Sequence, residues 1–541
     1  MGTFDYIVIG AGSAGCVLAD RLSADGNATV LVLEAGGSDR RVWVKLPIGY
    51  GKTFHDSSVN WRFRTQPDPE TSDREHYWPR GKVLGGSSSI NGLVYSRGLP
   101  GDFDDWEMAG NPGWGWSDVA PVFDRIERHV APDGSARGEG AISVTDISQR
   151  CHPIKRHYLS AAKTLDLPEA DPEAPVWSEG VAPYRITTRN GLRCSAADAF
   201  LRPAMNRSNV TVRTHCLVDR IEMTEGRATR IRYTRGGQTE TVTARREILL
   251  SAGAIASPMI LQRSGIGPGE ALRELGIDVL HDNPAIGGGL QDHLGIDYLY
   301  KANEPTLNQS LGTLWGQFRS GIEFALTRKG PLSLSVNQMG GMVRTDPARD
   351  RANIQLYFNP LSYSTVWKDK RPLLKPDPWP GLNFGFNACR PTSRGRVGLN
   401  SADANDTPKI DPGYLTTNED IADALAGARL IERFLKTDAM RALITDTNGF
   451  TPEGASDEEI LADFRTRCWT VFHVCGTCRM GPEAEGGVVG ADLKLHGVDG
   501  LRVVDASVFP NVTSANTNAP TLMTAMKAAD EILGSTPSTL H

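Results

Sequence analysis

The sequence predicts an α/β fold for the larger part of the chain, joined to an α+β unit built on an antiparallel sheet. Three observations predict it. A strand, a glycine turn and a helix follow one another at the start; alternating apolar segments return between residues 210 and 251; and a separate series of alternating runs fills residues 296–465.

The first element is the most informative. Residues 6–9 form a short, continuously apolar, β-branched run, the pattern of a strand buried on both faces, and Gly10, Gly12 and Gly15 follow at G-x-G-x-x-G spacing. Gly10 permits the tight turn, Gly12 lets backbone N–H groups approach a pyrophosphate, and Gly15 lets the new helix pack closely on the sheet. The helix N-terminus then faces the anion. A second strand, residues 29–33, ends in Glu34, about 20 residues beyond the last glycine, where a carboxylate accepts hydrogen bonds from ribose hydroxyls. That carboxylate would repel a 2′-phosphate, so the nucleotide is NAD or FAD and not NADP.

At 541 residues the chain holds two or three domains' worth of core, with the 40% hydrophobic and 23% charged composition of a globular protein. Lys+Arg of 58 against Asp+Glu of 64 gives a net charge of −6, which argues against nucleic acid and anionic membrane surfaces as main partners. Strand one begins at residues 4–6, leaving no room for a secretory leader, and no apolar run approaches the roughly 18 residues of a membrane span. The expected location is therefore cytoplasmic. Eight cysteines in so long a chain read as reduced thiols. Cys475 and Cys478 form a C-x-x-C after His473, but no second ligand pair follows at metal spacing, so no metal is expected.

Residues 40–80, with Pro47, Pro67, Pro69 and Pro79, read as extended loop over the cofactor. Trp61 within it either stacks near a ring system or plugs the core. Glycines and three serines between Gly81 and Gly92 offer many N–H and O–H donors, and the apolar residues on either side are not those of a mobile linker. Residues 100–130 carry Trp106, Trp114 and Trp116 in a Gly/Pro-rich context and read as a lid or cap, and residues 131–190 as loop-rich. Residues 210–251 read as strands returning to the first domain at Gly253, with Pro258 in the first turn of the next helix. Residues 296–300, 354–358, 382–389 and 396–399 suggest the antiparallel sheet. Ile421, Ala424, Leu425, Ala428, Ile431 and Leu435 make a helical core stripe. The tail after Leu533 reads as disordered.

Three motifs, Gly81-Lys-Val-Leu-Gly-Gly-Ser-Ser-Ser-Ile-Asn91, the run from Gly253 to Gly267, and His473-Val-Cys-Gly-Thr-Cys-Arg-Met-Gly481, together resemble the signatures of the glucose–methanol–choline (GMC) oxidoreductases. The resemblance runs from residue 4 to about 533, and within the family is greatest to choline dehydrogenase-like alcohol dehydrogenases and oxidases. It implies FAD as cofactor and a Rossmann-like FAD-binding domain of GMC type assembled from residues 1–155, 206–295 and 466–535. An α+β substrate-binding domain with an antiparallel sheet would take residues 156–205 and 296–465. It implies that Gly10, Gly12, Ser13, Gly15, Glu34 and Ala35 hold the ADP half, with Val218 at the adenine. Trp61, Val83, Gly86, Asn91, Gly92 and Val94 would lie along the rest of the cofactor, with Ala252, Asp505, Ala506, Asn518 and Thr521 as further contacts. Ile90 stands where relatives with covalent flavin have histidine, so FAD is expected to be non-covalent. Asp292-His293 matches a family element, although Gly289 stands where relatives have asparagine.

Oxidising an alcohol needs a base near neutrality, and histidine fits. The resemblance puts His473 in the catalytic-base position and Asn516 beside it as N–H donor to the developing alkoxide. A Ser/Asn-rich stretch before Pro520 also makes a good helix-capping turn, and the helix expected from Thr521 would point its positive end at the flavin. Val471 and Phe472 would border the substrate. An ungapped alignment puts neutral Gln338 where choline-type relatives carry a carboxylate, so the expected substrate is a neutral primary alcohol, hydroxymethyl compound, polyol or sugar and not choline. The alternatives are an oxidase using O2, or a hydroxynitrile lyase on the same scaffold. An NAD-linked dehydrogenase has no use for the Gly81–Asn91 run. The electron acceptor, whether quinone, dye, protein carrier or O2, is not specified by these motifs.

Overall fold

A computed structural model describes residues 2–170, 178–368 and 371–534. The tail expected to be disordered lies, from residue 535, outside them.

The first sheet has seven strands, in the order Val210–Arg213, Val30–Leu33, Gly2–Ile9, Gln238–Leu250, Arg227–Arg235, Cys216–Thr224, with Leu501–Val503 added beside Gln238–Leu250. The pairings around Gly2–Ile9 are parallel, with Ile7 opposite Leu31 on one side and Ile248 on the other. Ile7, Val8, Leu31 and Leu249 are fully buried, so both faces of these strands are covered, which is why they read as unbroken apolar runs. Each such side chain contributes about 1.5–3 kcal/mol of burial. The helix Ser13–Leu22 lies tightly on the sheet: a Cβ on Gly15 would come within 1.9 Å of the Gly10 carbonyl oxygen.

The second sheet is antiparallel, in the order Ile444–Thr447, Leu294–Ala302, Gly381–Ala388, Ile354–Asn359, Met339–Val343, Gly180–Pro183, with Trp469–Thr470 on Leu294–Ala302. The helix Asn418–Leu435 packs on it so closely that a Cβ on Gly427 would meet the Phe386 ring at 2.1 Å.

Three expectations are corrected. Residues 100–130 are core and not a lid: Trp106 and Trp114, on and beside the helix Pro100–Met108, are buried. Their indole N–H groups donate to the carbonyls of Asn511 and Ala491 at 3.0 and 2.9 Å. Residues 131–190 hold the strands Ile142–Asp146 and Arg185–Arg189, which pair with each other, and the helix Lys155–Thr164. The helix containing Pro258 begins at Gly253, so the proline sits inside it. Pro258 has no N–H to give to the carbonyl of Ala254, and the Thr477 hydroxyl donates to that oxygen instead, at 2.6 Å.

Candidate active site

A cavity of about 1350 Å³ runs from the first glycine turn to the antiparallel sheet. At its nucleotide end Glu34 accepts from the backbone N–H of Ala11 at 2.9 Å and of Gly36 at 2.8 Å, and burial pushes its carboxyl up to about 7. Gly10 takes φ +97°, where a Cβ would lie 2.5 Å from the Ser251 carbonyl oxygen. Gly86 takes φ +52° and folds onto Gly12, whose Cα a Cβ at residue 86 would meet at 2.7 Å. Two helix N-termini converge here, those of Ser13–Leu22 and Asn518–Ile532, tied by a 2.7 Å hydrogen bond from the Ser13 hydroxyl to the Asn518 side chain. Together they make an anion site. The second helix starts at Asn518, three residues earlier than expected, and Asn518 and Thr521 both face the cavity. Asp505 anchors the next turn, accepting from the Gly253 N–H at 2.8 Å and the Ser257 hydroxyl at 2.6 Å.

Further along, Arg193 clamps Asn91, donating to its side chain at 2.6 Å and its carbonyl at 2.8 Å. Burial lowers this guanidinium to about 9. Ser13, Ala35, Trp61, Gly92, Val94, Val218, Ala252, Ala506, Val471 and Phe472 also line the cavity, and Trp61 stacks on Phe63 under the Lys82 ammonium.

The reacting end is built by two segments lying side by side. Gln291 and Cys475 exchange backbone hydrogen bonds at 3.1 and 2.9 Å, and the Val471 N–H donates to the His293 carbonyl at 3.0 Å. This sets His293 against His473, their Nδ1 atoms 2.7 Å apart. His293 Nε2 lies 2.8 Å from the Cys389 carbonyl, which can only accept, so that nitrogen carries the proton. Burial pushes His293 down to about 4, so the ring is neutral and its Nδ1 accepts from His473 Nδ1–H. His473 Nε2 is thereby left with a lone pair, and it takes an N–H from Asn516 at 2.9 Å. Burial, His293 and Arg80 together hold the His473 imidazole well below its usual range. The Asn516 side-chain oxygen has no partner among the described residues.

Asp292 fixes the backbone of His473, accepting its N–H at 2.7 Å while Tyr414 and Thr470 donate to the other carboxylate oxygen. Arg80 donates to the Phe472 carbonyl at 2.8 Å. Phe472 itself takes φ +70°, a left-handed conformation that costs a non-glycine residue about 1–3 kcal/mol and turns the chain into the site.

Three expected contacts lie elsewhere. Gln338 is corrected: its side chain accepts the His152 N–H at 2.8 Å and donates to the Ser335 carbonyl at 3.2 Å, and Asn337 and Val336 line the cavity in its place. Val83 points into a small apolar cluster with Val44 and Val59. Gly15 acts through helix packing, away from the cavity wall. Cys475 and Cys478 are buried, with burial pushing both thiols up. Sequence reasoning missed Arg80, Arg193, the bond from His293 to His473, and Asp297, a carboxylate on the cavity wall.

The residues fit a flavin dinucleotide. Two helix N-termini suit a pyrophosphate, Glu34 a ribose, and a Cβ on Gly12 would find no neighbour closer than 3.9 Å. The Ser251 hydroxyl and the Asn516 carbonyl, both on the cavity, are unpartnered among the described residues. A dinucleotide cradle meeting a neutral histidine at one cavity is the arrangement of an oxidoreductase.

The chain belongs to the GMC oxidoreductases, whose family models match residues 4–295 and 391–525, and it is an FAD-dependent oxidoreductase acting on CH–OH groups. It is 36% identical to an alcohol dehydrogenase [acceptor] of Pseudomonas putida, over 98% of this chain and 96% of that protein. It is 36% identical to an oxygen-dependent choline dehydrogenase of Photobacterium profundum, over 99% and 94%. Among solved structures it is similar to pyridoxine 4-oxidase from Mesorbium loti, with TM-score 0.87 and 30% identity over 98% and 99% of the two chains.

Proposed function

We propose that the chain oxidises a neutral primary alcohol, a hydroxymethyl compound, a polyol or a sugar, with His473 taking the hydroxyl proton. The observation that carries this reading is the array from Asn516 through His473 and His293 to the Cys389 carbonyl. It holds a neutral imidazole whose Nε2 is unprotonated at the cavity and accepts from Asn516 until a substrate hydroxyl takes that place, the form a general base needs. Asn516 brings an N–H to the same point and steadies the substrate oxygen as its proton leaves. Bound FAD supplies the acceptor for the hydride that leaves the carbinol carbon. Gly10, Gly12, Ser13, Glu34, Gly86, Asn91, Asp505 and Asn518 would hold it, and apolar Ile90 on the cavity wall supports a non-covalent attachment.

The substrate class rests on unpaired groups. The Tyr357 hydroxyl and the side-chain oxygens of Asn359 and Asn383 line the cavity without partners among the described residues. A buried polar atom left unpaired costs about 1–3 kcal/mol, so a substrate bearing several hydroxyls is the natural complement. Asp297 favours a second reading, a quaternary ammonium alcohol. Burial pushes its carboxyl up to about 6, leaving it ionised at neutral pH. It ranks second because Asn383 and Trp469 already bond the carboxylate and Arg467 offsets its charge.

The relative named for a general acceptor supports a dehydrogenase over an oxidase, and eight free cysteines suit the cytoplasm. Mixing an alcohol panel with the flavin-loaded protein without oxygen tests the reading. Polyols or hydroxymethyl compounds should bleach the visible flavin band faster than choline does. Equal bleaching by choline would move the assignment to Asp297, and cyanohydrin cleavage with no bleaching would make the protein a lyase. Dye reduction outpacing oxygen uptake is the expected acceptor result.

A further inference from the structure

The helix Leu314–Thr327 is amphipathic the wrong way round. Leu314, Trp315, Phe318, Ile322 and Leu326 are 88%, 72%, 59%, 45% and 80% exposed. At 100° per residue they form one stripe about 120° wide. The opposite side, carrying Ser320 and Phe324, is the one buried against the protein. Five of the ten exposed large hydrophobic residues among those described lie on these fourteen residues. Contiguous exposure of this kind marks an interaction surface.

We propose that this helix docks the protein peripherally on an anionic lipid bilayer, lying in the headgroup plane with its apolar stripe inserted. The composition is that of an interfacial helix, with Trp, Phe and Leu on one face and basic residues at its margin. Arg319 borders the stripe, and Arg328 and Lys329 end the helix. Among the described residues none of these three forms an ion pair with a carboxylate. The helix's one acidic residue, Glu323, is turned toward Gly330. No helix among the described residues is long and apolar enough to cross a membrane, so the contact is a surface one.

The net charge of −6 argued against an anionic surface, but it averages over the whole molecule, whereas headgroups within a Debye length feel only the local cations. A second copy of the chain is a poorer occupant. Antiparallel pairing would set the basic end against an uncharged first turn, and parallel pairing would set like charges together. The site also gains from a bilayer. The preceding helix Leu307–Gly312 shares one apolar cluster, around Leu307, Val336 and Leu361, with Tyr50 and Tyr363, which line the cavity, so docking brings the cavity's edge toward the lipid.

Flotation with vesicles of phosphatidylcholine alone or with phosphatidylglycerol tests the proposal, using the flavin-loaded protein. Binding to the anionic vesicles is expected, and should fall about tenfold or more for Trp315→Ser/Phe318→Ser/Leu326→Ser. Arg328→Glu/Lys329→Glu should reduce it by a similar factor, as should raised salt. Because all five residues are exposed and outside the site, dye-linked alcohol oxidation in solution should be unchanged in both variants, which controls for folding. Wild-type protein that stays unbound with anionic vesicles overturns the proposal. So does a concentration-dependent dimer that the triple substitution dissociates while vesicle binding is unaffected.

Discussion

Replacing His293 with alanine isolates the contribution of a residue that lies behind His473 and does not line the cavity. In the wild type His293 Nδ1 accepts a hydrogen bond from His473 Nδ1–H and its Nε2–H donates one to the Cys389 carbonyl. The substitution leaves a buried N–H and a buried carbonyl unpaired, and it releases the tautomer that keeps His473 Nε2 unprotonated. One buried donor left unsatisfied costs about 1–3 kcal/mol. If that cost falls on the reactive tautomer, alcohol-driven flavin reduction slows by about 5- to 150-fold, at one decade per 1.36 kcal/mol. The pH profile separates this from a general loss of structure. His473 is neutral around pH 7, and activity is lost as pH falls through its depressed value. Burial is the main cause of the His473 depression, and the space left by the lost ring admits water, so the substitution should move the acid limb to higher pH. His293→Gln, which can still accept a proton, should recover part of the rate. Stopped-flow reduction across pH, at equal FAD content, is the assay. An unchanged rate and an unmoved acid limb in His293→Ala would refute this positioning role.

Removing the proposed base should cost more: His473→Ala should slow flavin reduction by about 10²- to 10⁴-fold with normal FAD content. Asn516→Ala should lose on the order of 10²-fold in the same assay. A wild-type rate in either variant removes that residue from the chemistry. Gly86→Ala forces a Cβ to 2.7 Å from Gly12 at positive φ, so the purified protein should lack flavin; a normal ratio of flavin to protein absorbance would contradict the cradle. Glu34, raised to about 7 in the free protein, is held ionised by ribose donors, so FAD binding releases a proton and tightens as pH rises through 7. Fluorescence titration of Glu34→Gln should show weaker binding with that pH slope abolished.

The glycine turn was legible because strands buried on both faces are unbroken apolar runs and because close backbone approach demands glycine at fixed spacing. His473 and Asn516, 43 residues apart in sequence, were found by resemblance and meet at 2.9 Å. His293 was seen as part of a motif, but its bond to His473 spans 180 positions, and no local pattern encodes it. Gln338 illustrates a different failure. Its amide is taken up by the His152 N–H and the Ser335 carbonyl, the first of them 186 positions away, and Val336 and Asn337 line the cavity instead. The tryptophans at 106 and 114 misled because glycines and prolines around them suggested a surface loop. Indole burial, satisfied by distant carbonyls, leaves no sequence trace.

The hydrogen bond from Ser13 to Asn518 joins positions 505 residues apart, and the strand Gly2–Ile9 finds one of its neighbours only in Gln238–Leu250. Closing such distant partners is slow and comes late in folding. A nascent chain still emerging from the ribosome therefore has no receptor for the flavin, however early its glycine turn is synthesised. Maturation must wait for translation to reach the last helix, and any truncation before Asn518 should yield colourless protein rather than a weakened enzyme.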